Sequence, residues 1–255
     1  MRIYSSITPL YPISLRKSAF ASENKGVEQT RAYWREIDWE KPDDKKIPSG
    51  MLLQSDFYEY TPHMDSAILD MGCGHGKTLR QLEHNGYRKL YGVDVNASAI
   101  QLAKQLANES LVVPQFIQAK AEELPFSDGS MDCVINQAFW TTLVTDIDRK
   151  SVIKEINRVL KPGGILYMEE YGQTPRVDEN YQRYQEGLKK GYAMGTWEVK
   201  DTQGKVLYLA HHYTKNELFD LLSQHGFEVV SYRNLLCKTR SGKDNDGHLI
   251  IAKKL

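Results

Sequence analysis

The stretch Ile68-Leu69-Asp70-Met71-Gly72-Cys73-Gly74-His75-Gly76-Lys77 constrains this chain more than any other. A short apolar run ends in an acid, and glycines follow at every second position. Such a run reads as a buried strand entering a turn. Glycine lacks a Cβ and tolerates positive φ, so that backbone can lie close to a ligand. Eighteen residues beyond Gly76, a second acid, Asp94, closes Tyr91-Gly92-Val93-Asp94. An acid at the tip of a neighbouring strand accepts hydrogen bonds from both hydroxyls of a ribose. Together the two segments describe a binder of an adenosine-containing cofactor.

Around that centre, short apolar runs alternate with amphipathic ones. Strands are expected at 67–71, 89–94, 114–118, 131–136 and 165–169, and helices at 77–84, 97–108 and 148–160. The last helix carries Val152, Ile153, Ile156, Val159 and Leu160 on one face. Strands separated by helices of this length predict a parallel sheet covered on both sides. Past residue 170 the pattern changes. A helix is expected at 178–192, a hairpin from 196–199 and 205–209, a capped helix opening at Thr214-Lys215-Asn216-Glu217, and strands at 227–231 and 249–253. Residues 1–30 read as a weakly structured arm and 30–39 as a helix.

The glycine spacing separates cofactors. A dinucleotide turn needs G-x-G-x-x-G, whereas here the spacing is G-x-G-x-G with Lys77 next. Asp70 beside the turn would repel a pyrophosphate and favour a ligand carrying an ammonium group. At this point the chain resembles the class I S-adenosylmethionine-dependent methyltransferases. Four segments carry the resemblance in order: 68–76, then Gly92-Val93-Asp94, then Ala119-Lys120-Ala121-Glu122-Glu123-Leu124-Pro125-Phe126, then Arg158-Val159-Leu160-Lys161-Pro162-Gly163-Gly164.

The resemblance implies an α/β, Rossmann-like fold. Its seven-stranded, mostly parallel sheet has helices on both faces and the last strand antiparallel, with an N-terminal helical arm and a small insertion after the fifth strand. It implies an arm and lid helix at 1–65, a cofactor-binding core at 66–170, a substrate cover at 171–212 and a C-terminal completion of the sheet at 213–255. The implied cofactor is S-adenosylmethionine, with S-adenosylhomocysteine as product. Asp70 and the backbone of Gly72, Cys73 and Gly74 would face its methionine part, with Gly76 in the same loop. Asp94 would take the ribose hydroxyls, and Val95 would pack on adenine. Ala121 and Glu122 would meet the adenine edge. Asn136 and Gln137 would border the methionine end and the methyl group.

The implied activity is methyl transfer to oxygen, nitrogen or sulfur of a small molecule. The alternatives are a tRNA-modifying methyltransferase and a non-catalytic binder of the same cofactor. Methyl transfer needs a general base only where the acceptor is protonated. His211, His212 and Tyr171 are the candidates for that role, with a helix-entry surface pair as the other reading of the histidines. Glu170 and Tyr171 follow the fifth strand, where ligands gather in open parallel sheets. Tyr33, Trp34, Phe139, Trp140 and Tyr171 are candidates for substrate contact, and Tyr33 and Trp34 serve equally well as core anchors.

Composition narrows the partners. Lys plus Arg and Asp plus Glu number 33 each, so net charge gives no general attraction to nucleic acid. Lys189-Lys190 and the Lys238, Arg240, Lys243 group are the local exceptions. Three dispersed cysteines without C-x-x-C argue against a disulfide framework, and the seven histidines lack ligand spacing, so no metal is expected. No apolar run approaches the roughly 18 residues of a membrane-spanning helix. The first 22 residues hold no acid, but Pro9 and Pro12 interrupt any amphipathic helix there, so a cytoplasmic protein is the expectation. Oligomeric state is left open.

Overall fold

Strands buried on both faces organise the computed structural model, which describes residues 13–39, 51–61, 63–108, 112–238 and 244–255. Two helices come first, α1 (Ile13–Glu36) and α2 (Ser55–Tyr60). Then follow β1 (Ala67–Met71), α3 (Lys77–His84), β2 (Lys89–Asp94), α4 (Ala97–Leu106), β3 (Gln115–Gln118) and β4 (Met131–Gln137). A 3-10 turn at Trp140–Thr142 leads to α5 (Asp146–Val159) and β5 (Leu160–Tyr171). After it come α6 (Asp178–Lys189), β6 (Thr196–Lys200), β7 (Val206–His211), α7 (Lys215–Gln224), β8 (Phe227–Lys238) and β9 (Asp244–Lys254).

Seven strands form one sheet in the order β3-β2-β1-β4-β5-β9-β8. β1 pairs in parallel with β2 and β4, and β4 with β5, while β9 runs antiparallel between β5 and β8. Alternate residues of each strand point to opposite faces. Leu69, Met71, Val134, Leu166 and Met168 join Ile153, Ile156, Leu218 and Leu222 of α5 and α7 on one side. Ile68, Cys133, Ile135 and Tyr167 join Leu79, Leu82, Ile100 and Ala103 of α3 and α4 on the other. The helix ends follow local chemistry. Asn96 caps α4 by accepting from Ala99 N, and Thr214 with Glu217 forms the capping box of α7.

The N-terminal helix is longer than expected. It runs from Ile13, where the sequence suggested a loose arm, and ends at Glu36 rather than 39. Residues 13–25 contain no proline or glycine and are rich in good helix formers. The first 12 residues of the expected arm lie outside the described residues. β6 and β7 form a separate two-stranded sheet. α1 docks on it: Thr30 Oγ1 accepts from Leu209 N at 2.8 Å, and the Tyr33 ring lies 4.6 Å from that of Tyr208. Among the described residues no helix is long and apolar enough to cross a membrane.

Candidate functional site

A cleft of about 450 Å³ opens at the C-terminal ends of β1, β2 and β4, roofed by α1. That volume lies within the range typical of small-molecule sites, about 300–1,000 Å³. Parallel strands end there on the same side, so the loops after β1, β2, β3 and β4 converge. Asp70, Gly72, Cys73, Gly74, Asp94, Val95, Ala121, Glu122 and Gln137 all line this one cleft.

The glycine turn is shaped by its neighbours. Gly72 has φ +79°, and a Cβ there would sit 2.5 Å from Phe139 Cδ2. A Cβ on Gly74 (φ +51°) would meet the Trp39 ring at 3.1 Å. The turn's amides are committed inward. Gly72 N and Cys73 N both donate to Val93 O, at 2.8 and 3.0 Å, and Gly74 N donates to Asp94 Oδ2 at 2.9 Å. The amides of these three residues are therefore already used, and what the turn's backbone offers the cleft is its bare Cα surface.

The two acids differ in what they leave available. Asp94 takes Gly74 N on one oxygen and Asn96 N at 2.9 Å on the other. A carboxylate has about four lone-pair sites, so each oxygen keeps one for a hydroxyl. Asp70 is buried and accepts no hydrogen bond among the described residues. Burial, reinforced by the charge of Asp94, pushes its carboxyl up to about 7, against the pull of Lys77. An ammonium group placed there would relieve that cost. Ala121 N also carries no hydrogen bond among the described residues, and Glu122 is exposed on the same rim. These donors and acceptors fit a sulfonium nucleoside that carries an amino acid on its sulfur: an acid for its ammonium, a paired acid for its diol, and a free N–H with an apolar Val95 for its base.

The opposite wall comes from α1 and the turn after β4. Trp34, Met51, Phe139 and Leu143 supply apolar surface, and Arg31 and Arg35 stand at the mouth. Arg31 is held by Asp148 at 2.6 Å and by Glu28 at 2.7 Å. Gln137 is fixed below: Thr78 Oγ1 donates to its Oε1 at 2.7 Å, and its Nε2 donates to Glu169 at 2.8 Å. Lys77 Nζ donates to the Met51 carbonyl, tying residues 51–54 to the glycine turn.

Several expected site residues lie elsewhere. Asn136 is fully buried; its Oδ1 accepts from Trp140 Nε1 at 3.0 Å, and its Nδ2 donates to Ile135 O. Trp140 is likewise sealed in the core, because the 3-10 turn points it inward. Gly76 starts α3 and faces Phe116, not the cleft. Tyr33 packs on Trp34 and Tyr208 beside the roof. Tyr171 sits behind the wall with Met51, Ala138 and Cys237. Glu170 is buried and accepts from the Phe139 and Trp140 amides.

The histidine pair is neither at the surface nor at the cleft. His211 Nδ1 lies 2.7 Å from Thr196 Oγ1, and its Nε2 lies 3.3 Å from Glu217 Oε1. His212 Nδ1 lies 2.8 Å from Tyr184 OH, and its ring stands edge-on to Trp197 at 4.3 Å. Burial, helped by the neighbouring His211, Arg183 and His248, pushes His212 down to about 3. Cys73 is buried, and its thiol is held well above the ordinary range, first by burial and then by Asp94 and Asp70, which fits a packing role.

Trp39, Met51, Lys77, Thr78, Thr142 and Leu143 line the cleft without having been singled out from the sequence. Trp39 and Met51 come from irregular chain, which has no periodicity to read. The spacing of Arg31, Trp34 and Arg35 at i, i+3 and i+4 is the signal that could have placed the two arginines on one helix face with Trp34.

The Methyltransferase domain family matches residues 69–168. The uncharacterized methyltransferase YodH of Bacillus subtilis is 41% identical over 122 residues, covering 47% of this chain and 49% of that protein. The ubiquinone/menaquinone biosynthesis C-methyltransferase UbiE of a Marinomonas species is 35% identical over 182 residues, covering 67% of this chain and 69% of that protein. A crystal structure of an S-adenosylmethionine-dependent methyltransferase from Methanosarcina mazei is similar, with a TM-score of 0.76 and 34% identity. It covers 80% of this chain and 99% of that one.

Proposed function

The chain belongs to the class I S-adenosylmethionine-dependent methyltransferases, and from that premise we propose that it methylates a small molecule bound between the glycine turn and α1. One observation carries the reading. A single bounded cleft joins the paired acids of β1 and β2 to an apolar wall of Trp34, Phe139 and Leu143. S-adenosylmethionine supplies an electrophilic sulfonium methyl when bound.

In this reading the chain's own residues bind, orient and exclude water. Asp94 holds the ribose diol, and Asp70 holds the ammonium. Val95 packs on adenine, whose edge meets Ala121 N and Glu122. Phe139 and Trp34 exclude water and present an aromatic surface to the positive charge. Alignment of the acceptor by such a wall is the larger part of the protein's task, since well-oriented intramolecular reactions reach effective molarities of about 10⁵ M or more. The acceptor is an oxygen, nitrogen or sulfur nucleophile, or an activated carbon of the kind named for the UbiE relative. His211 and His212 lie outside the cleft, so neither takes its proton. α1 acts as the cover over a core spanning 66–170; the insertion at 171–212, expected to cover the substrate, lines no part of the cleft and instead supports α1 through β7, with 213–255 completing the sheet.

The test is direct. The protein is incubated with methyl-labelled cofactor and a metabolite extract, and labelled species are sought by mass spectrometry. A labelled small molecule is expected. Label found in RNA or protein alone would replace this reading.

A further inference from the structure

The turn after β4 builds a continuous wall of the cleft through Gln137, Ala138, Phe139, Thr142 and Leu143. Its backbone is strained at Ala138, whose φ of +51° is left-handed; the other positive φ values among the described residues belong to glycines. In that region an L-residue's Cβ crowds the adjoining backbone, and the conformation persists only where the surroundings impose it. Here the restraint is explicit. Ala138 N donates to Glu169 O at 2.9 Å. Glu170 Oε1 accepts from Phe139 N at 2.7 Å and from Trp140 N at 2.8 Å. Tyr213 OH lies 2.9 Å from the Trp140 carbonyl and 3.0 Å from that of Leu143.

Glu170 is fully buried, and its recorded partners are backbone amides, with no cation among the described residues. A buried acid of this kind is a poor choice for stability alone, because a packed apolar side chain of similar volume avoids its desolvation cost. Its effect is geometric. The amides it holds belong to the residues that place the Phe139 ring against Gly72.

We infer that Glu170 is a positioning residue for methyl transfer: its Oε1 pins the strained 138–142 turn and so sets the distance between the acceptor wall and the glycine turn. Asp94 ends β2, Val95 follows it and Ala121 follows β3, so none of them is held by this restraint.

Three variants test it: Glu170→Leu, Glu170→Gln, and Glu170→Leu combined with Ala138→Gly. Leucine fills the space without an acceptor, whereas glutamine retains Oε1. In Glu170→Leu, hydrogen exchange of the 139–141 amides is expected to rise by about tenfold or more. Methyl transfer from labelled cofactor into the extract should fall by a similar factor, while S-adenosylhomocysteine affinity by calorimetry changes by less than about threefold. Glu170→Gln should keep exchange within about threefold of wild type. Adding Ala138→Gly to Glu170→Leu should leave exchange of those amides high, since glycine supplies no acceptor, but recover part of the stability lost in urea, because glycine adopts positive φ without penalty. A purely structural acid would lower transfer and cofactor affinity together or leave transfer unchanged.

Unchanged exchange or unchanged methyl transfer in Glu170→Leu, a glutamine variant as loose as the leucine one, or no recovery of stability with Ala138→Gly would each overturn the inference. If Glu170→Leu does not fold, folding of the double variant supports the inference and its failure to fold overturns it. The exchange readout needs no acceptor, so it stands whatever the acceptor proves to be.

Discussion

At the residue scale, the acid at the tip of β2 carries the sharpest expectation. Asp94 already accepts Gly74 N and Asn96 N, so it is rigid before any ligand arrives. Hydrogen bonds to a charged acceptor contribute about 1.5–3 kcal/mol each, and Asp94→Ala should weaken S-adenosylhomocysteine binding by about 2–4 kcal/mol. Unchanged affinity by calorimetry would remove the ribose contact. This residue was legible because its motif is local: strand end, acid and turn lie consecutively. His211 and His212 were not, since adjacency says nothing of what surrounds each ring. The structure makes His212 a determinant of stability. Its native pKa is depressed to about 3 from an ordinary 6.5, so below pH 6.5 the unfolded chain binds a proton that the native state refuses. That residue's contribution therefore holds above pH 6.5 and is lost as pH falls towards 3. His212→Gln should cost about 1–3 kcal/mol at neutral pH through lost contact with Trp197 and Tyr184. Its deficit against wild type should shrink by about pH 4, because only wild type carries the titration. Urea midpoints at both pH values measure this, and a constant deficit would mean that His212 titrates normally in the native state.

At the element scale, the alternation of strands and helices from 67 to 171 was readable because each apolar period reflects burial on one or both faces. What it missed was set by pairing rather than pattern. β5 starts at Leu160, directly after α5, because Met131 pairs with Leu160 across a register shift. β8 and β9 extend well beyond their apolar centres because they hydrogen-bond to each other along their length. α1 was longer than expected because its outer half bears no apolar signature, only helix propensity. α6 yields the prediction proper to this scale. It crosses β6 at Gly187, where an added Cβ would lie 2.0 Å from the Thr196 carbonyl oxygen. Alanine is the better helix former by about 1 kcal/mol, so an isolated helix would gain from Gly187→Ala. In the protein the backbone must separate instead, loosening the contact between Tyr184 and Trp197, whose centroids are 5.8 Å apart. A net loss of about 1–3 kcal/mol is expected in thermal or urea unfolding. A neutral or stabilised variant would show that α6 does not rest on β6.

At the scale of the whole molecule, charge decides which acceptors can approach. The chain carries 33 basic and 33 acidic side chains, and several of its cations are engaged. At the cleft Arg31 faces Asp148 and Glu28 and Lys77 meets the Met51 carbonyl, and in the insertion Lys190 pairs with Glu198. Arg240 and Lys243 of the group noted in the sequence lie outside the described residues. A protein that binds duplex or folded RNA releases counterions, and its affinity falls with salt at about 0.7–0.9 log units per phosphate contacted for each log unit of salt. With basic and acidic side chains balanced overall, this chain should make few such contacts. Filter binding of mixed tRNA at about 50 mM salt is expected to show weak retention with a shallow salt slope. Labelled cofactor should leave that tRNA unmethylated. A steep slope with labelled tRNA would mean that basic residues gather into a surface the paired charges conceal, and it would move the acceptor from the cleft's interior to its rim. Since the proposed cofactor half rests on Asp70, Asp94 and the loops after β2 and β3, its affinity should be the same under either outcome, which lets the acceptor question be decided without reopening the cofactor.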